Sequence, residues 1–147
     1  MKHLIVLPLA VLGLTATAAF AQIPTLLPAA SPDAVPVKLE LYTRDKESAV
    51  FSEALQQAVA GDDRYVLVDD LPKDGLRIIV AEPLREQEED SRSLRIYNVT
   101  YKLGSGKYIG DDQGLCDADR LTMCGRVVAE DAHAAYTAYM AKHPPKN

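Results

Sequence analysis

The stretch VFSEALQQAVAGDDRYVLVDDLPKDGLRIIVAE, Val50 to Glu82, decides the fold. Its first third carries apolar residues at i, i+1, i+4, i+5, i+8 and i+9, namely Val50, Phe51, Ala54, Leu55, Ala58 and Val59. This spacing predicts an amphipathic helix with one buried face, capped at its end by Gly61. Apolar runs from Tyr65 and from Leu76 then predict two strands joined by a turn at 72–75. The second run is almost continuously apolar, which is typical of a central strand covered on both faces.

The flanks of this stretch extend the pattern on both sides. From Val37, apolar and polar residues alternate, which predicts a strand, and Asp45 is placed to cap the helix that follows. Residues 85–93 have no apolar side chain and are interpreted as a solvated loop. A strand with a bulge or twist is predicted over 94–103, and the glycines of 104–106 predict a tight turn into the short strand KYIG.

A second amphipathic helix closes the predicted domain. Its apolar positions repeat at helical spacing, namely Val128, Ala132, Ala135, Tyr136, Tyr139 and Met140, and Pro144 and Pro145 end it. The sequence therefore predicts the α+β class: a single small domain with a mainly antiparallel sheet of about four or five strands and two helices packed on one face.

The stretch from Val50 to Glu82 also resembles a known group of proteins. Its helix, strand and following strand are similar to those of the TolB amino-terminal and CsgG-like periplasmic domains, including the penicillin-binding-protein activator lipoproteins. The similarity covers about 50 residues and consists of apolar positions, so no functional residue is carried over. It implies a non-catalytic envelope protein that works by contact with other proteins, although this chain lacks the lipid-bearing cysteine that many members carry.

The ends of the chain carry signals for export. Lys2, an apolar run and the Ala19-Phe20-Ala21 motif predict a cleavable signal peptide over 1–21. Residues 22–36 contain four prolines and are interpreted as a tether, followed by the folded domain over 37–143 and a tail over 144–147. We therefore expect a periplasmic protein that is not a lipoprotein and has no membrane span after signal cleavage.

Charge limits the classes of partner. The chain has 16 Lys and Arg against 21 Asp and Glu, a formal net charge of −5, and its basic residues are scattered. Nucleic-acid binding needs clustered Lys and Arg, so nucleic acid is not expected as a partner. An envelope protein of unknown identity is expected instead, and no cofactor is predicted.

Two cysteines, Cys116 and Cys124, are the only ones in the chain. In an exported domain a structural disulfide between them is favoured, with a redox-active pair and free or intermolecular thiols as the alternatives. Residues eight apart in one straight helix lie about 12 Å apart, too far for a bridge. The disulfide is therefore expected to join a loop at Cys116 to the start of the last helix near Cys124.

The acid-rich stretch DDQGLCDAD, 111–119, is the candidate cation loop. Its possible ligands are Asp111, Asp112, Asp117 and Asp119. The spacing departs from the known calcium-loop pattern, so a turn rich in helix-capping carboxylates is the favoured interpretation. A small-ligand or cation-binding module using this loop is the alternative function.

No catalytic motif is recognised, and the protein is predicted not to be an enzyme. A small secreted hydrolase is the second alternative, with His133 beside Glu130 and Asp131 as its candidates; a solvent-facing helix position is preferred for His133. The leading hypothesis is an exported protein that binds another protein through its sheet edge or a helix face.

Overall fold

The computed structural model describes residues 31–89 and 92–144, so the predicted signal peptide, residues 22–30 and residues 145–147 lie outside the described residues. Within these ranges the elements are β1 (Val35–Leu41), α1 (Lys46–Ala60), β2 (Tyr65–Leu67), β3 (Leu76–Val80), β4 (Arg85–Glu89), β5 (Arg92–Leu103), β6 (Tyr108–Asp117) and α2 (Leu121–Lys142). The α+β class is confirmed. The first strand begins at Val35, two residues before the predicted start of the domain.

The sheet is mixed and has six strands in the described residues, so the predicted count of four or five strands and the mainly antiparallel pairing are slightly off. Strand β1 pairs in parallel with both β2 and β3, whereas β3, β4 and β6 all pair antiparallel with β5. All six strands belong to one sheet. Alternating apolar and polar residues predict a strand with one buried face, but they do not specify the direction of its neighbours.

Strands β3 and β4 lie in line along the same edge of β5. Strand β6 takes one edge of β5 from Leu94 to Lys102, so the other two partners share the opposite edge. Ile79 of β3 lies opposite Thr100 of β5, and Arg85 of β4 lies opposite Ile96. The segment that joins β3 to β4 is therefore two residues longer than the part of β5 opposite it. Because the excess is even, side chains keep the same faces across the break.

The predicted solvated loop over 85–93 is wrong. Residues 85–89 form β4, and β5 already begins at Arg92. Strand β4 pairs through its backbone with one side of β5, and its exposed glutamates are typical of a strand whose other edge faces water. The stretch without apolar residues is therefore a charged edge strand and not a loop.

Both helices pack on one face of the sheet and share its core. The α1 residues Phe51, Leu55 and Val59 are fully buried, and the carboxylate of Asp45 accepts the predicted cap hydrogen bond from the Ser48 N–H at 2.9 Å. Val50 is 40% exposed, so the buried face of α1 is narrower than the apolar stripe predicted from the sequence. The predicted cap at Gly61 is confirmed: its N–H donates to the carbonyl of Gln57.

Strand β5 supplies the centre of the core. Tyr97, Val99, Tyr101 and Leu103 are buried on the helix-facing side, as predicted. The predicted irregularity is also present, as a register shift against β6 at Tyr101 and Lys102. Strand β3 is only partly as predicted, because Leu76, Ile78 and Val80 are buried whereas Arg77 and Ile79 on its outer face are half-buried. One face of the sheet is therefore open.

Helix α2 begins at Leu121 and ends at Lys142. Its buried residues include Val128, Ala129 and Ala132, and Ala135 packs against the same core. Neither helix in the described part of the chain is long and apolar enough to cross a membrane.

Candidate functional site

Strand β1 has an edge that is only partly paired. On one side it pairs with β3 from Val37 to Leu41, but on the other β2 covers it only from Val35 to Val37. The Val35 N–H donates to the carbonyl of Arg64 at 2.8 Å, and the Val37 carbonyl accepts from the Val68 N–H at 3.0 Å. Successive odd-numbered residues direct their backbone groups to the same edge. Leu39 and Leu41 therefore direct theirs to the side where, within the described residues, no strand pairs with them.

An opening of about 480 Å³ lies along this free edge. We call it the β1 edge slot. It is bounded by three elements: β1 and the residues after it, the polar side of α1, and the end of β2. Its lining residues are Val37, Lys38, Leu39, Leu41, Thr43, Ala49, Ser52, Glu53, Gln56, Leu67, Val68 and Asp69.

The slot exists because β2 is short and the chain after it turns away. The ammonium group of Lys38 donates a hydrogen bond to the carbonyl of Asp69 at 2.9 Å, which holds the chain after β2 beside the outer face of β1. The following residues lead to a turn in which the Gly75 N–H donates to the carbonyl of Pro72. The chain then enters β3 on the far side of β1, so it does not extend along the slot.

The slot combines apolar walls with an acidic rim. Leu39 and Leu41 are half-buried, and Leu67 is 40% exposed although it is a large apolar residue. Glu53 and Asp69 are exposed at the rim, whereas the one Lys among the lining residues, Lys38, is held by the carbonyl of Asp69. The arrangement offers unpaired backbone groups, apolar contact and negative charge in one place.

The disulfide lies at the opposite edge of the sheet. Cys116 and Cys124 are bonded, with their Cα atoms 6.2 Å apart. The predicted pairing is therefore confirmed, but Cys116 lies in strand β6 and not in a loop. The bridge fastens the last strand to the first turn of α2 and takes no part in the slot.

The predicted acidic loop over 111–119 is wrong, because most of it is strand β6. Asp111 and Asp117 lie on the outer face, opposite Thr100 and Leu94, whereas Asp112 is on the helix-facing side. Asp119 follows in the turn before α2. The four carboxylates are not brought together, and among the described residues no group of three or more His, Cys, Asp or Glu side chains is placed to hold a metal ion.

Asp112 is the one of these four with a distinctive environment. Its Oδ2 atom is buried and has no hydrogen-bond partner among the described residues. Burial raises the pKa of the Asp112 carboxyl, and the negative charge of Asp131 on α2 raises it further, while a hydrogen bond with Tyr97 opposes the shift. Two carboxylates therefore repel each other between β6 and α2.

The hydrolase candidate His133 is half-buried, so the predicted solvent-facing position is only partly right. Its ring meets the ring of Tyr65 edge-on, with 5.7 Å between the ring centres. Neighbouring Glu130 accepts a hydrogen bond from the Arg64 guanidinium at 2.6 Å, as part of an ion pair. These contacts join Arg64 and Tyr65, at the start of β2, to α2.

Sequence reasoning missed Arg95, which is only 8% exposed. Its Nε and Nη2 atoms donate to the Glu47 carboxylate at 2.5 and 2.8 Å, and its Nη1 donates to Ser93 Oγ and to the Leu94 carbonyl. The sequence contained a signal of this burial, because Arg95 lies two residues before the inward-facing Tyr97 and so on the same face of β5.

Comparisons with known proteins add little to this geometry. No protein-family model matches the chain, and no curated protein matches it. Among solved structures, a minor lipoprotein from Acinetobacter baumannii is similar, with a TM-score of 0.36 and 14% identity over 76% of this chain and 95% of that chain. A likeness of this extent carries no argument about function, and it does not confirm the resemblance to TolB and CsgG-like domains.

Proposed function

We propose that this chain is an exported, non-catalytic envelope protein that binds another protein through the free edge of β1. The observation that carries the proposal is the backbone of Leu39 and Leu41 beside the β1 edge slot, which no strand of the described residues pairs on that side. Exposed strand edges pair readily with a strand from another chain, and many recognition domains bind peptides in this way.

The disulfide supports the export part of the proposal. Disulfides form and persist in oxidising compartments such as the bacterial periplasm and are rare in the cytosol. The bond between Cys116 and Cys124 therefore agrees with the predicted signal peptide over 1–21. The acidic residues proposed for cation binding are dispersed over both faces of β6 and the turn after it, so we favour protein binding over a cation-binding module.

Site-specific crosslinking in the native cell tests the proposal. A photo-reactive amino acid is placed at Gln56, which is exposed on α1 and lines the slot. The control is the same substitution at Ala134, which is exposed on α2 and does not line the slot. We expect one defined protein to be captured from the envelope fraction by the Gln56 variant and not by the Ala134 variant. Recovery of the chain in the cytosol, or equal capture from both positions, would contradict the proposal.

A further inference from the structure

We infer that the occupant of the β1 edge slot is an extended segment of the partner protein with alternating apolar and basic residues, which adds to β1 as a strand in line with β2. This inference rests on the proposed function and specifies the chemistry of the partner.

The fold itself contains the arrangement that we propose. On one edge of β5, β3 and β4 follow each other in line, β3 pairing with residues 100–103 and β4 with residues 92–96. On the free side of β1, β2 fills only the first position, and the second position, beside Leu39 and Leu41, is the slot. An added strand there would extend the sheet as β4 extends it beside β5.

The faces of β1 define the alternation of the partner segment. Leu39 and Leu41 lie on the helix-facing side, because they are opposite the buried Ile78 and Val80 of β3. Neighbouring side chains on an added strand point to opposite faces. Every second residue of the partner would therefore contact these leucines and Ala49 of α1, and apolar side chains fit this position.

Charge defines the other residues of the segment. Glu53 and Asp69 at the rim are exposed. Glu40, on the outer face of β1, is exposed as well and has a single ion pair, with Arg77 at 3.3 Å. The ammonium of Lys38 donates to the carbonyl of Asp69 and keeps its positive charge, so the lining residues carry two negative charges against one positive. Opposite charge at an interface favours binding and excludes like-charged competitors, so the segment is basic.

Hydrogen exchange with a defined peptide tests the inference. The probe is acetyl-Lys-Val-Lys-Val-Lys-amide, added at millimolar concentration to the full chain, and the readout is exchange of the Leu39 and Leu41 amide protons by NMR. We expect about tenfold slower exchange at both amides with this peptide, because paired N–H groups are protected. The Glu-Val-Glu-Val-Glu analogue is expected to give no protection.

A matched pair of variants locates the effect. Gln56→Trp fills the slot and should abolish the protection, whereas Val50→Trp, at an exposed position of α1 that does not line the slot, should leave it intact. Equal protection by the acidic peptide, or none by the basic one, overturns the inference. Slow exchange at both amides before any peptide is added also overturns it, since a second copy or residues 22–30 would then hold the slot; dilution distinguishes these two occupants.

The result also separates the inference from the proposed function. Partner capture at Gln56 without protection by the basic peptide would overturn the strand-addition inference and leave the proposed function standing. Failure of both experiments would overturn both.

Discussion

Gly125 of α2 lies directly against Ala54 of α1. A Cβ atom on Gly125 would be 2.9 Å from the Cβ of Ala54 and 2.7 Å from the backbone nitrogen of Leu55. The two helices therefore approach each other through backbone at this point, and only glycine fits.

We predict that Gly125→Ala destabilises the protein. Alanine is favoured over glycine in a helix by roughly 1 kcal/mol, but overpacking of a core costs about 1–3 kcal/mol. We therefore expect a net loss of about 1 kcal/mol in the free energy of unfolding, measured by urea denaturation. Adding Ala54→Gly should not restore it, since the Leu55 backbone contact stays and the new glycine costs roughly 1 kcal/mol inside α1. An unchanged denaturation midpoint in Gly125→Ala would show that the helices can separate without cost.

The ion pair of Arg95 and Glu47 joins the start of α1 to β5. Hydrogen bonds from Arg95 lower the pKa of Glu47, so the stabilisation is present above the ordinary pKa of glutamate and is lost as the pH falls through the lowered value. Glu47→Gln should reduce stability by about 1 kcal/mol at neutral pH, a modest figure because the Glu47 side chain is 44% exposed.

The pH dependence and a second variant check this assignment. The difference between Glu47→Gln and the parent chain should disappear in strong acid. Glu86→Gln removes a longer contact to Arg95, of 3.3 Å, from a side chain that is 64% exposed, and should have a smaller effect. A larger effect at Glu86 would contradict the ranking of the two contacts.

The Cys116–Cys124 disulfide closes a short loop, because the two residues are eight positions apart. In the chain-entropy model such a loop contributes about 2.6 kcal/mol to stability. Replacing both cysteines by alanine should lower the free energy of unfolding by about this amount. Reduction of the parent chain should have a similar effect and leave the double variant unchanged. Intact-mass measurement showing two free thiols in the protein isolated from its native cell would refute the bond itself.

Asp112 should be a destabilising charge at neutral pH. Its pKa is raised by burial and by Asp131, so its contribution is most favourable below the ordinary pKa of aspartate and is lost as the pH rises through the raised value. We expect Asp112→Asn to raise the melting temperature at pH 7 and to lose this advantage at low pH. Asp70→Asn, at an exposed position after β2, is the matched control and should change little. A lower melting temperature for Asp112→Asn at pH 7 would mean that the carboxylate makes a favourable contact.

Much of the layer arrangement could be predicted, because burial leaves a periodic record in the sequence. The helix around Phe51 and Leu55 and the strand around Tyr97 and Val99 were both visible in this way. Strand β4 left no such record, since its backbone pairs with β5 while its charged side chains stay in water. The length of β6 could not be predicted for the same reason, because Asp111 and Asp117 lie on its outer face and interrupt the apolar pattern.

The candidate site could not be predicted beyond the general expectation of a sheet edge. The slot depends on which strands flank β1 and on the place where β2 ends. The parallel pairing of Val37 with both Leu67 and Leu76 follows from the path of the chain after Asp69, and local periodicity carries no information about it. The burial of Arg95 could have been predicted, because Arg95 lies two residues before Tyr97 and so on the same face of β5.

The position of the disulfide has a consequence for the order of folding. Cys116 and Cys124 lie close in sequence, and β5 and β6 form a hairpin around Gly106, which has the positive φ of 87° that such a turn requires. In contrast, Val37 must find Leu76 across a whole helix and strand. Because short chain loops close at a lower entropic cost, we expect the hairpin that holds Cys116 to form before the parallel strands assemble. Pulse-labelled hydrogen exchange during refolding would show protection in β5 and β6 first. The edge of β1 would then be the last part of the sheet to form, so newly made molecules would become able to bind a partner only after the rest of the sheet has assembled.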